Sequence, residues 1–271
     1  MEKHFMNKYP RIGLGTWEIN DREVCAETVA RAIEIGYRHI DTAQFYKNEE
    51  YVGEGIAKSK VNREDLFVAT KIWVDNLSRD KVMKTTEQSL HRLGLDYIDC
   101  LYVHWPAKTY EPQETLQAFE KLQEEGTIKH IGVSNFTVEL LEQARDIMKK
   151  PIFANQVEMH PLNQQKKLRN YQIKNDIKLV AYSPFRHGTL FDNQDLQKIA
   201  DGYECSVARL SLAWLLSKEN VLPVPKARGK KHLVDNFKAL ELKLKAEDIE
   251  RIDALDEENR FIDPPFAAWN N

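Results

Sequence analysis

Asp41, Tyr46, Lys71 and His104 have the side-chain types needed to hand a proton to a carbonyl oxygen. A tyrosine ionises near pH ~10, so its phenol serves as an acid at neutral pH where something stabilises the phenolate. An ammonium beside the hydroxyl does this, and a carboxylate keeps the ammonium charged and aimed. A histidine next to the phenol orients the carbonyl and assists proton delivery. Taken singly, each residue has a plainer role: a buried hydrogen-bonding aspartate, a solvated strand-end lysine, a rim histidine. Trp73 and Trp105 alone would be rim packing. The chemical reading rests on three strand ends and one adjoining loop supplying complementary types.

The elements that position these groups are short apolar runs, each delivering a polar residue at its carboxyl end. Tyr37-Arg38-His39-Ile40 leads to Asp41, Leu66–Thr70 to Lys71, and Ile98–Val103 to His104. Ile131-Gly132-Val133 leads to Ser134-Asn135, and Pro151–Ala154 to Asn155-Gln156. Leu179-Val180-Ala181 leads to Tyr182-Ser183, and Val221–Pro225 to Lys226. A parallel barrel builds one site at its top face from such strand ends, and neighbouring strands ~4.8 Å apart let the side chains converge.

Together with the opening strand Ile12–Gly15, the strands are expected at Tyr37–Asp41, Leu66–Lys71, Ile98–His104, Thr127–Ser134, Ile152–Gln156, Ile177–Tyr182 and Val221–Pro225. Helical periodicity and caps predict helices at Arg22–Ile35, with Val24, Thr28, Ala32 and Ile35 as the apolar stripe, and at Glu49–Ser59, Ser78–Leu93, Pro112–Glu125 and Thr137–Met148. Further helices are expected at Gln164–Asn175, Asn193–Gly202, Ser206–Ser217 and Lys230–Leu240. Eight alternating strands with short connections argue an α/β chain, a (β/α)8 TIM barrel. An extra C-terminal helix (Ala246–Leu255) and a tail (Arg260–Asn271) exceed the repeat; Pro264-Pro265-Phe266 and Trp269 make the tail apolar enough to fold back.

The 271 residues suit one barrel domain spanning 1–271. A formal charge of −3, from 39 basic and 42 acidic residues spread along the chain, offers no basic block for nucleic acid. No apolar stretch has the ~20 residues of a membrane span, and the first eight residues show no apolar signal region. Cys25, Cys100 and Cys205 are scattered, with no paired spacing for metal or redox chemistry. The expectation is a cytoplasmic protein, a monomer or at most a weak dimer, acting on a small molecule.

Gly13-Leu14-Gly15-Thr16-Trp17, Gly36–Tyr46 with Asn48-Glu49, Ala69-Thr70-Lys71, Leu93–Asp99 and Val103-His104-Trp105-Pro106 resemble the aldo-keto reductase signature. The similarity continues through Ile131–Phe136, Asn155–Glu158, Ala181–Pro184 and Pro225-Lys226, in order and over almost the whole chain; it is greatest to the compact microbial members grouped with diketogluconate reductases. The resemblance implies a metal-free tetrad: Tyr46 as general acid for reduction, Lys71 lowering its pKa, Asp41 pairing with Lys71, and His104 positioning the carbonyl. It also implies a nicotinamide cofactor extended over the barrel mouth, since no Gly-x-Gly-x-x-Gly crossover is present. Tyr182 would stack under the nicotinamide, Ser134, Asn135 and Gln156 would bond its carboxamide, and Thr16, Trp17, Asp41 and Ser183 would lie nearby. Ser134-Asn135 also reads as a cap pair for the following helix.

At the adenosine end, Lys226 matches the family lysine on the 2′-phosphate. Ala227 stands where a hydroxyl residue is usual, and His232 replaces the usual arginine fork. Arg228, Lys230 and Lys231 lie close, and Asp235 and Asn236 occupy adenine-contact positions. NADP(H) is favoured, with NAD(H) or dual use left open. Trp17, Tyr46, Trp73, His104 and Trp105 are the expected substrate contacts, with Phe45, Phe136 and Trp269 as further walls. Short loops at Trp105–Glu111 and Ser183–Asp192 suggest an open site, where His187 reaches the cofactor or a polar substrate, or is simply exposed. The resulting function is reversible NAD(P)H-dependent reduction of small or sugar-derived aldehydes and ketones. Alternatives are a nucleotide-sensing interaction subunit of the same fold, and an unrelated barrel enzyme using Lys71 as a Schiff-base nucleophile, disfavoured because Asp41 keeps that amine charged.

Overall fold

Strand and helix alternate along the computed structural model, which describes residues 5–6, 9–107 and 109–270. Most of the amino-terminal positions read for a signal region, and Lys108 in the loop after His104, lie outside the described residues. β1 (Phe5–Met6) and β2 (Tyr9–Pro10) pair antiparallel. β3 (Gly13–Gly15), β4 (His39–Asp41), β5 (Phe67–Ile72), β6 (Ile98–Val103), β7 (Ile128–Ser134), β8 (Ile152–Glu158), β9 (Lys178–Tyr182) and β10 (Val221–Pro223) pair in parallel and in chain order. The ring is completed where Gly15 N donates to Pro225 O at 3.0 Å and Gly15 bridges Lys226. The chain is a (β/α)8 TIM barrel.

Helices α1 (Arg22–Ile35), α2 (Glu49–Lys58), α3 (Arg79–Leu93), α4 (Pro112–Glu124), α5 (Val138–Ile147) and α6 (Lys166–Lys174) connect successive strands. α7 (Gln194–Gly202) and α8 (Val207–Ser217) both precede β10; α9 (Lys230–Phe237) and α10 (Ala246–Asp253) follow it. None of the described helices is long and apolar enough to cross a membrane. Gly36 ends α1 at φ 128° and Gly94 ends α3 at φ 63°, conformations that cost other residues more. The expected strand Val221–Pro225 stops at Pro223, because Pro223 and Pro225 bring no N–H to the ladder.

The apolar stripe expected on α1 is rotated. Cys25, Ala26, Thr28, Val29, Ala32 and Ile33 are buried, whereas Val24 is exposed and Ile35 only half-buried. The small residues Ala26 and Val29 are the ones that let α2 approach: a Cβ on Gly55 would sit 2.6 Å from both Ala26 O and Val29 Cβ. A Cβ on Gly53 would stand 2.3 Å from Leu93 O at the end of α3. Both glycines reduce the helix propensity of α2 by about 1 kcal/mol each and are retained for these close approaches. Gly53→Ala is therefore expected to destabilise the chain by roughly 1–3 kcal/mol despite better propensity, read as a lower urea midpoint.

Alternation along the strands selects the site residues. Phe67 and Ala69 of β5 lie in an inner cluster with Cys100, Tyr102, Ala154, Val180, Leu222 and Val224, while Val68 and Ile72 pack outward against the helices. Period two then sends Lys71 inward after Ala69, His104 after Tyr102, Gln156 after Ala154, and Tyr182 after Val180. Register sets their heights: Asp41 pairs Ala69, Lys71 pairs Tyr102, and Gln156 pairs Val180. At the opposite end, Tyr9 packs on Phe67, His130 and Phe153 with ring centroids 4.6–5.9 Å apart. This packing of Tyr9 is not expected from sequence, since two-residue strands carry no periodicity.

Candidate active site

Lys71 is nearly solvent-free, its side chain 1% exposed and that of Asp41 3%. The ammonium spends its three donors on Asp41 Oδ1 at 2.5 Å, Thr42 O at 2.8 Å and Tyr46 Oη at 3.4 Å. Burial alone would pull the Lys71 pKa down, but Asp41 and Tyr46 together hold it above the ordinary range. A lysine held in this charged state is a poor Schiff-base nucleophile. For Tyr46 the balance differs from the sequence expectation: burial raises its pKa, Lys71 pulls it down, and the net direction is up. The phenol thus stays protonated at neutral pH, with the Lys71 ammonium beside its oxygen.

His104 is buried, its ring 5.8 Å from that of Tyr46. Its Nδ1 is buried with no hydrogen-bond partner. Burial, and then the nearby Lys71, hold the imidazole well below the usual histidine range, so it is neutral. Asn135 Nδ2 donates to the His104 carbonyl at 3.0 Å, tying the end of β6 to that of β7.

The expected carboxamide residues form one network. Asn135 Nδ2 also donates to Ser134 Oγ at 3.0 Å, and Ser134 Oγ donates to Gln156 O at 2.8 Å. Tyr182 Oη donates to Asn135 Oδ1 at 2.9 Å, and Gln156 Nε2 to Asp41 Oδ2 at 2.7 Å. Thr16 donates from its N and its Oγ1 to Asp41 O, both at 3.0 Å. Thr137, rather than Ser134-Asn135, caps α5 by accepting from Leu140 N. Asn135 and Ser183 adopt left-handed φ of 63° and 46°. In this network Ser134 Oγ and Asn135 Oδ1 each retain a lone pair and Gln156 Nε2 a second N–H, so the set can both accept from and donate to an amide. These neutral donors and acceptors fit a nicotinamide carboxamide.

The residues expected at the adenosine end are spread over the β10–α9 segment. Lys226 Nζ lies 2.8 Å from Glu18 Oε2, and Arg228 donates to the Glu18 carbonyl. Ala227 is buried and His232 exposed on the first turn of α9. Asp235 accepts from Ser206 and Arg209, which ties α9 to α8, and Asn236 is buried in α9. The cations suit phosphate groups; Asp235 is already committed to helix packing.

Three aromatic rings cover the polar cluster. Phe45 stacks between Trp17 (5.5 Å) and Trp73 (3.9 Å), with Trp17 against Tyr46 at 4.8 Å and Trp73 against His104 at 5.2 Å. Trp105 instead faces the tail, packing on Phe266 (5.5 Å) and Trp269 (5.7 Å). Phe136 is buried against Tyr110. His187 is exposed and lies on Phe261 of the tail, with ring centroids 4.7 Å apart.

The supporting roles of Asn48, Gln44 and Glu158 are not legible from residue spacing. Asn48 accepts from Thr42 Oγ1 and donates to Thr16 O and Ile19 O, joining the β3–α1 loop to the loop that carries Tyr46. Gln44 accepts from Trp73 N and holds the turn that carries Phe45 and Tyr46. Glu158, wholly buried beside His160, accepts from the backbone N–H of Phe261 (2.7 Å) and Ile262 (2.8 Å) and so clasps the tail over the mouth. A carboxylate at the end of a buried strand, with a histidine two residues on, is the sequence signal for that clasp.

The aldo/keto reductase family model matches residues 11–257. Glyoxal reductase from Bacillus subtilis (strain 168) is 42% identical over 252 residues, 93% of this chain and 90% of that protein. Methylglyoxal reductase DkgB from Escherichia coli O157:H7 is 37% identical over 262 residues, 96% and 97% of the two chains. Among solved structures, a putative 2,5-diketo-D-gluconic acid reductase B superposes with a TM-score of 0.93 at 32% identity, over 96% of this chain and 92% of that one. The Bombyx mori aldo-keto reductase AKR2E4, solved in complex with NADP, gives 0.87 at 32% identity over 94% and 92%. With this match along almost the whole barrel, the chain belongs to the aldo/keto reductase family.

Proposed function

We propose that this chain reduces small α-dicarbonyls of the glyoxal and methylglyoxal type to hydroxy carbonyls, with NADPH favoured as reductant and Tyr46 as the proton donor. Carbonyl reduction by an NAD(P)H-dependent oxidoreductase follows from the family, the two reductase relatives and the NADP-bound neighbour. The observation that carries the reading is the buried Asp41–Lys71–Tyr46 relay beside a neutral His104 beneath the Trp17–Phe45–Trp73 stack. The flat faces of that stack suit a short, flat carbonyl. We also assign the full length to one barrel unit working as a cytoplasmic monomer; Cys25 and Cys100 are buried, with the Cys25 thiol pushed up to about 12, in keeping with a reducing interior.

A bound nicotinamide supplies the hydride. Ser134, Asn135 and Gln156 would hold its carboxamide, Tyr182 would lie against the ring, and Lys226 with Arg228 would meet the 2′-phosphate. The carbonyl oxygen is set between Tyr46 Oη and the His104 imidazole. As negative charge builds on that oxygen, Tyr46 gives up its proton and Lys71 stabilises the phenolate. Asp41 keeps Lys71 charged throughout, and the aromatic rings exclude water that would compete for the proton.

The test is the rate of NADPH loss with glyoxal, methylglyoxal, simple aldehydes and bulky aromatic ketones. The dicarbonyls are expected to give the highest kcat/KM; a preference for bulky ketones would contradict the substrate assignment. The pH profile follows from the two shifted groups. Tyr46, raised above ~10, donates over the whole neutral range, and reduction falls only as pH rises through its pKa. His104, held well below ~6.5, contributes no limb between about pH 6 and 9. A near-neutral inflexion in kcat/KM that vanishes in His104→Gln would show a titrating imidazole instead.

A further inference from the structure

The barrel closes through a seam at which one residue commands both nearby cations. Glu18 lies in the loop after β3 at φ 59°, a left-handed conformation. Its carboxylate sits 2.8 Å from Lys226 Nζ, and its carbonyl accepts from Arg228. Both cations belong to the segment just past β10, where Gly15 bridges Lys226. Lys226, with smaller contributions from His187 and Arg228, holds the Glu18 carboxyl below its usual range.

This pair is built to exchange. Lys226 is 36% exposed and Glu18 48%, so water competes for both charges and the bridge is weak. A phosphate dianion arriving at Lys226 must displace the carboxylate or remain beside it as a like charge. The neighbouring positions do little to offset this. Ala227 offers no hydroxyl and is buried, and His232, exposed on α9, has no guanidinium fork. A cofactor with a free 2′-hydroxyl brings no charge to this point, so Glu18 does not oppose it.

We infer that Glu18 sets the preference between NADPH and NADH, its carboxylate competing with the 2′-phosphate for Lys226. The inference rests on the reading of Lys226 as the phosphate lysine given above. It makes dual cofactor use a consequence of one ion pair, and places the determinant 208 residues from its partner.

Tryptophan fluorescence titration with NADPH and NADH separates the possibilities without turnover. Glu18→Gln keeps the side-chain shape and removes the charge; it is expected to tighten NADPH by roughly threefold to tenfold and to shift NADH by less than about twofold. Lys226→Met is expected to weaken NADPH by about tenfold, to leave NADH close to its starting Kd, and to abolish the effect of Glu18→Gln in the double variant. If Lys226→Met is selective for NADPH but Glu18→Gln moves both cofactors equally or neither, the competition is overturned while the phosphate lysine stands. If Lys226→Met leaves the NADPH to NADH ratio unchanged, the phosphate assignment fails and the inference falls with it.

Discussion

Tyr46→Phe is expected to lower kcat for methylglyoxal reduction by roughly 10²–10⁴-fold while leaving the Kd for NADPH nearly unchanged. The substitution removes the hydroxyl 3.4 Å from Lys71 and nothing else of size. The remaining ring still packs on Trp17 and His104, so the pocket keeps its walls. No other acidic proton stands close: the His104 imidazole is neutral, and Lys71 is held by Asp41 and Thr42. Steady-state kinetics with fluorescence titration on the same preparation separate chemistry from binding. Turnover within a few-fold of the parent would remove Tyr46 from the role of proton donor.

Asp41→Asn strikes the same relay through stability as well as rate. Lys71 would lose the carboxylate that holds its charge in a site with almost no solvent, and breaking a buried pair in this way costs about 3–5 kcal/mol. For a chain of this length that is a fall in Tm of roughly 6–20 °C, from ~2–4 °C per kcal/mol. Gln156 and Thr16 also lean on Asp41, the first through its carboxylate and the second through its backbone. Adding Lys71→Met should restore much of the lost stability, because the stranded charge is gone, while activity stays low. Calorimetry on the two single variants and the double variant checks this. A double variant no more stable than Asp41→Asn would mean that packing, and not the unpaired ammonium, carries the cost.

The strands were legible because each is an apolar run too short for a helix and punctuated by a polar residue. The same punctuation located Asp41, Lys71, His104, Ser134, Gln156 and Tyr182, since period two carries a strand-end residue to the face of its inward neighbours. Tyr46 was legible only by its nearness to Asp41 and by the family motif. What escaped depends on contacts that spacing does not encode. The Glu18–Lys226 bridge joins the first and last barrel strands, and the Glu158 clasp on Phe261 and Ile262 spans more than a hundred residues. The α1 stripe was misphased because Ala26 and Cys25, small residues with weak hydropathy, face the core while Val24 does not. Trp105 was grouped with Trp17 and Trp73 by type, whereas the tail captures it. The net rise in the Tyr46 pKa likewise follows from burial, which a sequence motif does not report.

We propose that this chain couples NADPH oxidation to protonation and reduction of a small carbonyl at Tyr46. Single-turnover mixing of the protein with stoichiometric NADPH and excess methylglyoxal, followed by product analysis, addresses it most directly. One hydroxy carbonyl is expected per NADPH consumed in the parent, and almost none on the same timescale in Tyr46→Phe. NADPH bound but unconsumed in the parent, or equal product from both proteins, would contradict it.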